Sequence, residues 1–170
     1  PTVPAVATFA PLSPGFTTDV YCELLARLRP KGLIVPKDLD HPARHAARRC
    51  GVAEIELLSD PSAPAGMFTL ELTRPDQSLD RAPSAQTDWA YVVNTSGTTG
   101  RSKLVPRSHR ALELFAHSIG DWLQLAPNDV GCHLLPMHHS GGLETALIMP
   151  LLRGASFVCL PETDIDGFFN

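Results

Sequence analysis

The sequence predicts an α/β fold, with mostly parallel sheets flanked by helices. Short apolar runs alternate with amphipathic stretches along most of the chain. In the first half, Gly32–Val35, His41–Cys50 and Ala53–Leu58 read as strand, helix and strand. In the second half, Val130–Leu135, Leu143–Leu152 and Ala155–Leu160 repeat that order. A strand–helix–strand unit implies parallel pairing through a right-handed crossover.

Residues 1–16 carry Pro1, Pro4, Pro11 and Pro14 and read as an extended lead-in. Thr18 and Asp19 read as the cap of a helix that runs to about Leu28. Pro42 suits the first turn of the next helix and Gly51 its stop. Residues 59–87 are dense in Pro, Ser, Asp and Gly, with one short strand at Met67–Leu72. They form the candidate boundary between a first α/β segment, 17–86, and a second, 87–170. Trp89–Val93 reads as a buried strand and Asn94–Pro106 as a loop. Ser108 then caps a long helix whose core face is Leu112, Phe115, Ala116, Ile119 and Trp122. Pro127–Asp129 reads as a turn.

Composition narrows the function. The 170 residues are 44% hydrophobic and 19% charged, enough apolar material for a core. The net charge of −4 and the absence of a basic stripe argue against a nucleic-acid partner or an anionic membrane surface. No apolar run is long enough to span a bilayer, and no segment has the layout of a signal peptide. Cys22, Cys50, Cys132 and Cys159 are widely spaced, which fits reduced thiols in a cytoplasmic protein better than a disulfide scaffold or zinc site. Both ends read as cut: the chain starts at Pro1 and stops after Phe168, Phe169 and Asn170, so the expectation is a piece of a longer polypeptide.

Asn94-Thr-Ser-Gly-Thr-Thr-Gly-Arg-Ser-Lys103 carries most of the chemical information. It lies between a strand and a helix. Gly97 and Gly100 permit positive φ and close backbone approach. Successive amides there can converge on an anion. Thr95, Ser96, Thr98 and Thr99 add hydroxyls that suit phosphate oxygens, and Lys103 adds a compact positive charge. The spacing fits neither the Walker pattern nor G-x-G-x-x-G. Asn94 stands where the hydrolase elbow needs glycine, so Ser96 is a poor nucleophile.

The same stretch resembles the signature of the adenylate-forming superfamily, which includes acyl- and aryl-CoA synthetases, luciferases of the firefly type and the adenylation domains of peptide synthetases. Ser102 and Leu104 replace the proline and glycine usual there. Leu135-Pro-Met-His-His-Ser-Gly-Gly-Leu143 is similar to the family's histidine segment, with His139 in the histidine position and His138 in the usual aromatic one. The resemblance is densest over 87–160 and looser over 18–86. It implies that the chain is part of the large N-terminal domain of such an enzyme.

The resemblance also implies roles. Thr95, Ser96, Gly97, Thr98, Thr99, Gly100 and Lys103 would hold the phosphates of ATP, with Lys103 neutralising the departing pyrophosphate and Mg²⁺ bridging the phosphates. His138, His139, Gly141 and Gly142 would line the substrate pocket, and His139 joins Lys103 as a catalytic candidate. The substrate would be a carboxylic acid. The acceptor would be coenzyme A or a carrier-bound phosphopantetheine, and the partners a carrier domain and the remainder of the chain, including a C-terminal subdomain. The chain on its own would be inactive. Met137–Ser140 holds no acid to pair with a substrate ammonium, which favours a plain acyl or aryl acid over an amino acid.

Other residues invite blander readings. Neighbours in a strand or turn point to opposite sides, so His138 and His139 are not expected to share a metal ion. His109 and His117 read as helix-surface residues, His133 as a satisfied core residue, and Glu144 as a structural acid near a helix start. Arg101, Arg107 and Arg110 form a positive cluster that either attracts ATP or is a solvated face. Two competing functions remain: a non-catalytic nucleotide-binding or interaction remnant, and an unrelated phosphotransferase using Glu162, Asp164 or Asp166.

Overall fold

The computed structural model describes residues 7–64, 66–73, 88–95 and 102–160. The chain divides into two compact units, Ser13–Pro83, and Pro1–Leu12 joined with Ser84–Asn170.

In the first unit, helix α1 spans Thr18–Leu28. The Thr17 side chain accepts from the Val20 amide, satisfying one of the free amides at the helix start. Strand β1 is Gly32–Pro36, helix α2 is Pro42–Cys50 and strand β2 is Ala53–Ser59. His41 caps α2: its Nδ1 accepts from the Ala43 amide while Nε2 bonds the Pro14 carbonyl at 2.9 Å. Gly51 closes the helix in the left-handed region at φ 67°, where glycine is unstrained. β1 and β2 pair in parallel, as the crossover requires.

Strand β3, Phe68–Leu72, pairs antiparallel with β2. Residues 60–67 are too few for a crossover, so the chain can only double back. The core gathers Tyr21, Leu24, Leu25, Val35, Ala46 and Ala47. Arg44 is buried with them. It pairs with Glu54, meets Glu56 at 2.9 Å, and donates to the carbonyls of Pro36 and Leu39.

In the second unit, strand β4 is Trp89–Thr95 and strand β5 is Lys103–Ser108, paired antiparallel. The expected loop from Asn94 to Pro106 is therefore mostly strand at both ends. Val92 and Val93 face Pro106 and Val105 across the ladder, and proline is tolerated because this two-stranded sheet has only edge strands. Phe9 runs beside β4, exchanging hydrogen bonds with Ala90 and Val92 and stacking on Tyr91 at 5.5 Å.

Helix α3, His109–Trp122, starts where the Ser108 hydroxyl accepts from the Ala111 amide. Leu112 and Ala116 are buried, but Trp122 is 79% exposed. Gly120 takes the inward position in that last turn, against the Arg153 side chain. Strands β6, Val130–His133, and β7, Ser156–Cys159, pair in parallel. Between them Gly141–Ile148 winds as a π-helix and continues into the short α4, Met149–Leu152. The expected helix from Leu143 thus begins two residues earlier with a wider winding. Ala90, Tyr91, Val93, Leu112 and Leu143 form the core that joins β4, α3 and the π-helix.

Candidate functional site

The site is built on the β4–β5 hairpin. Thr95 ends β4, Lys103 opens β5, and the two are register partners. The Thr95 hydroxyl reaches the Lys103 carbonyl at 3.5 Å, and both side chains are exposed. The two ends of the predicted phosphate loop are therefore brought together at the tip of a strand pair. Ser96, Gly97, Thr98, Thr99, Gly100 and Arg101 lie outside the described residues.

Four residues back from each end, Tyr91 and Arg107 are also register partners. Both donate to one carboxylate, that of Glu144 on the π-helix. Arg107 Nε meets Oε1 at 2.9 Å and Nη2 meets Oε2 at 3.1 Å. The Tyr91 hydroxyl donates to Oε1 as well. Two parallel N–H donors on one carboxylate fix direction as well as distance. Glu144 and Tyr91 are buried, and burial followed by the Glu144 bond pushes the Tyr91 phenol above its ordinary range. Glu144 also holds Arg107 more firmly in its charged form.

The histidine segment is a turn. The His139 amide donates to the Pro136 carbonyl at 3.1 Å, and the Leu143 amide donates to the His139 carbonyl at 2.9 Å as the π-helix begins. The rings of His138 and His139 lie 4.3 Å apart, tilted by 45°. They do not diverge as neighbours in a strand would; the segment is a turn, and the rings meet. His139 and Gly141 are exposed, whereas Gly142 is buried. A Cβ on Gly142 would lie 2.3 Å from the Pro136 carbonyl oxygen, so only glycine lets the helix approach the turn this closely.

Several expectations change. Arg107 is held by Glu144 rather than belonging to a free positive cluster, while Arg110 is exposed. Glu144 is an ion-pair partner as well as a helix-start acid. His133 is buried, but its Nε2 has no hydrogen-bond partner among the described residues. Cys22 and Cys50, distant in sequence, come within hydrogen-bonding reach; burial, then the Cys50 thiol, raises the pKa of Cys22. The Glu144 network was missed because its members are 37 and 53 residues apart. The available signal was the one charged residue inside a largely apolar run, Leu143–Leu152.

A hairpin that presents a hydroxyl and a lysine at its tip, tied through Glu144 to the helix that follows the histidine turn, sits in the N-terminal-domain fold of adenylate-forming ligases. The chain belongs to the AMP-binding enzyme family, whose sequence pattern it matches over residues 2–169. It is 29% identical over 150 residues to the mitochondrial malonate–CoA ligase of Bos taurus, covering 77% of this chain and 26% of that protein. It is 30% identical over 168 residues to an indoleacetate–CoA ligase of Aromatoleum aromaticum, covering 96% of this chain and 32% of the relative. The crystal structure of ATP-bound MatB from Rhodopseudomonas palustris superposes with a TM-score of 0.74 at 26% identity, over 98% of this chain and 33% of that one. The chain thus spans a third or less of the length of these proteins.

Proposed function

We propose that the full-length protein is an ATP-dependent ligase that joins a carboxylic acid to AMP and then passes the acyl group to a thiol. In the first step a carboxylate oxygen bonds to the α-phosphorus. The bond from that phosphorus to the β-phosphate's bridging oxygen breaks, and pyrophosphate leaves with the electron pair. Two anions must meet, so neutralising charge and aligning the reactants dominate the barrier.

The hairpin supports this reading most directly. It sets Thr95 opposite Lys103, closing the glycine- and hydroxyl-rich segment at its base. Thr95, Ser96, Gly97, Thr98, Thr99 and Gly100 would hold the β- and γ-phosphates through amides and hydroxyls, and Lys103 would offset charge on the leaving pyrophosphate. That donor set is cationic and neutral, so it fits a triphosphate and not a bare cation. Mg²⁺ would be held by the phosphates, where it supplies further neutralisation. His138, His139, Gly141 and Gly142 would form the wall beside the acid.

The acid-free stretch Met137–Ser140 supports a plain acyl or aryl acid as substrate over an amino acid. The names of the relatives, malonate–CoA ligase and indoleacetate–CoA ligase, support coenzyme A as acceptor over a carrier domain. Free thiols at all four cysteines fit a reducing compartment such as the cytoplasm. Among the described residues no helix is long and apolar enough to cross a membrane. The test is pyrophosphate exchange by the full-length protein across dicarboxylic, aryl, fatty and α-amino acids. Exchange with a non-amino acid is expected. Exchange with amino acids alone, or with none of the panel, overturns the reading.

A further inference from the structure

Glu144 stands between two parts of the site that lie far apart in sequence. Tyr91 is four residues before Thr95 on β4, and Arg107 is four residues after Lys103 on β5. Being register partners, they sit at one level of the hairpin. Glu144 lies five residues after His139, in the first turn of the π-helix that the histidine turn opens. One buried carboxylate therefore ties both strands of the hairpin to the helix that follows the histidine turn.

The surroundings argue for a directional role. Ala90, Val93, Leu112 and Leu143 form an apolar core around Tyr91, where an aliphatic side chain would pack without desolvating a charge. A buried ion pair in such a place contributes little net stability, but its fixed donors admit one arrangement of the elements it joins. The winding adds to this: the Met149 amide donates to the Glu144 carbonyl across a π turn, a rare geometry. Two residues before Glu144, Gly142 packs so closely on the Pro136–His139 turn that a Cβ there would meet the Pro136 carbonyl oxygen at 2.3 Å, which places the carboxylate's helix directly against that turn.

We propose that Glu144 is a positioning residue: by gripping Arg107 and Tyr91, its carboxylate sets the His139 turn against the Thr95–Lys103 hairpin. That placement aligns the substrate acid with the α-phosphate. The inference rests on the ligase reading, and its consequence is specific. Each substrate binds its own half of the site normally, while the step that needs both halves in register slows.

The test uses full-length protein carrying Glu144→Gln, Arg107→Met or Arg107→Lys, with acid-dependent pyrophosphate release expressed per folded molecule. Glu144→Gln should lower kcat roughly 10- to 100-fold, the penalty for misplacing reactants by about an ångström. The KM values for ATP and acid should stay within about threefold of wild type. Arg107→Lys, which keeps the charge but not the fork, should retain more activity than Arg107→Met. Amide hydrogen exchange at His139 and Leu143 should quicken in Glu144→Gln. Unchanged kcat with a lower melting temperature, or raised KM with normal kcat, overturns positioning. If Glu144→Gln does not fold, Arg107→Lys carries the same test, because it leaves a cation beside the buried carboxylate at a side chain that is 35% exposed. If the wild type releases no pyrophosphate, the ligase reading fails by itself. Hydrogen exchange then decides the coupling, and unchanged protection at His139 and Leu143 overturns it.

Discussion

Arg107 and Glu144 meet as a two-point pair, Nε to Oε1 at 2.9 Å and Nη2 to Oε2 at 3.1 Å, joining β5 to the π-helix. The two ends are unequally buried. The Glu144 side chain is 5% exposed and that of Arg107 is 35% exposed.

That inequality predicts unequal costs. Arg107→Leu strands a carboxylate in the core and should destabilise the full-length protein by about 3–5 kcal/mol. Glu144→Met leaves a guanidinium that can rehydrate, so its cost should be smaller, about 2 kcal/mol, mostly from the stranded Tyr91 hydroxyl. Urea unfolding of both variants measures the order, and an equal or reversed order refutes this account.

Lys103→Ala should leave the fold intact, since the side chain is exposed at the first position of β5. On the ligase reading it should slow adenylation roughly 100-fold or more, as loss of one preorganised charge-stabilising group does. Single-turnover formation of the acyl-adenylate by the full-length protein is the measurement. A normal rate removes Lys103 from the mechanism.

Gly142→Ala should destabilise by about 1–3 kcal/mol, because the new methyl meets backbone that cannot rotate away. Its nearest neighbours would be the Pro136 oxygen at 2.3 Å and the Leu135 oxygen at 2.9 Å. Gly131→Ala is the control, since its closest contact would be 3.8 Å. Thermal melts of the two should differ clearly; matching melts would show that the turn yields.

The Tyr91 phenol titrates above the ordinary tyrosine range, through burial first and then the bond to Glu144. In the unfolded chain the phenol ionises near pH 10, while in the folded protein it stays neutral. The folded state then holds the extra proton, so this contribution is complete below about pH 10 and is lost as pH rises toward the folded value. Tyr91→Phe should therefore flatten the alkaline fall in melting temperature. A fall as steep as in the wild type removes Tyr91 as its source.

Local signals placed much of the fold. Ser108 caps α3 and Gly51 stops α2, as the sequence predicts, whereas the cap of α1 is Thr17 in place of Thr18 or Asp19, and His41 caps α2 in place of opening it. The order of β1, α2 and β2 carried its own pairing rule, since a helical crossover leaves two strands parallel. β5 escaped notice because Pro106 reads as a breaker and no alternation marks its solvent-facing strand. Spacing alone puts Trp122 in the core, although Gly120 is the buried residue of the last turn and Trp122 is exposed.

The residue pattern alone established the α/β class, most element boundaries and the hydroxyl–glycine–lysine segment, because caps, turns and periodicity depend on near neighbours. Folding supplied the antiparallel hairpin that sets Thr95 beside Lys103, the adjacent His138 and His139 rings, and the union of Tyr91, Arg107 and Glu144. Those depend on which surfaces pack together. A buried carboxylate finds its cation by proximity in space, and one stretch of sequence carries no record of a partner that chain folding delivers from another.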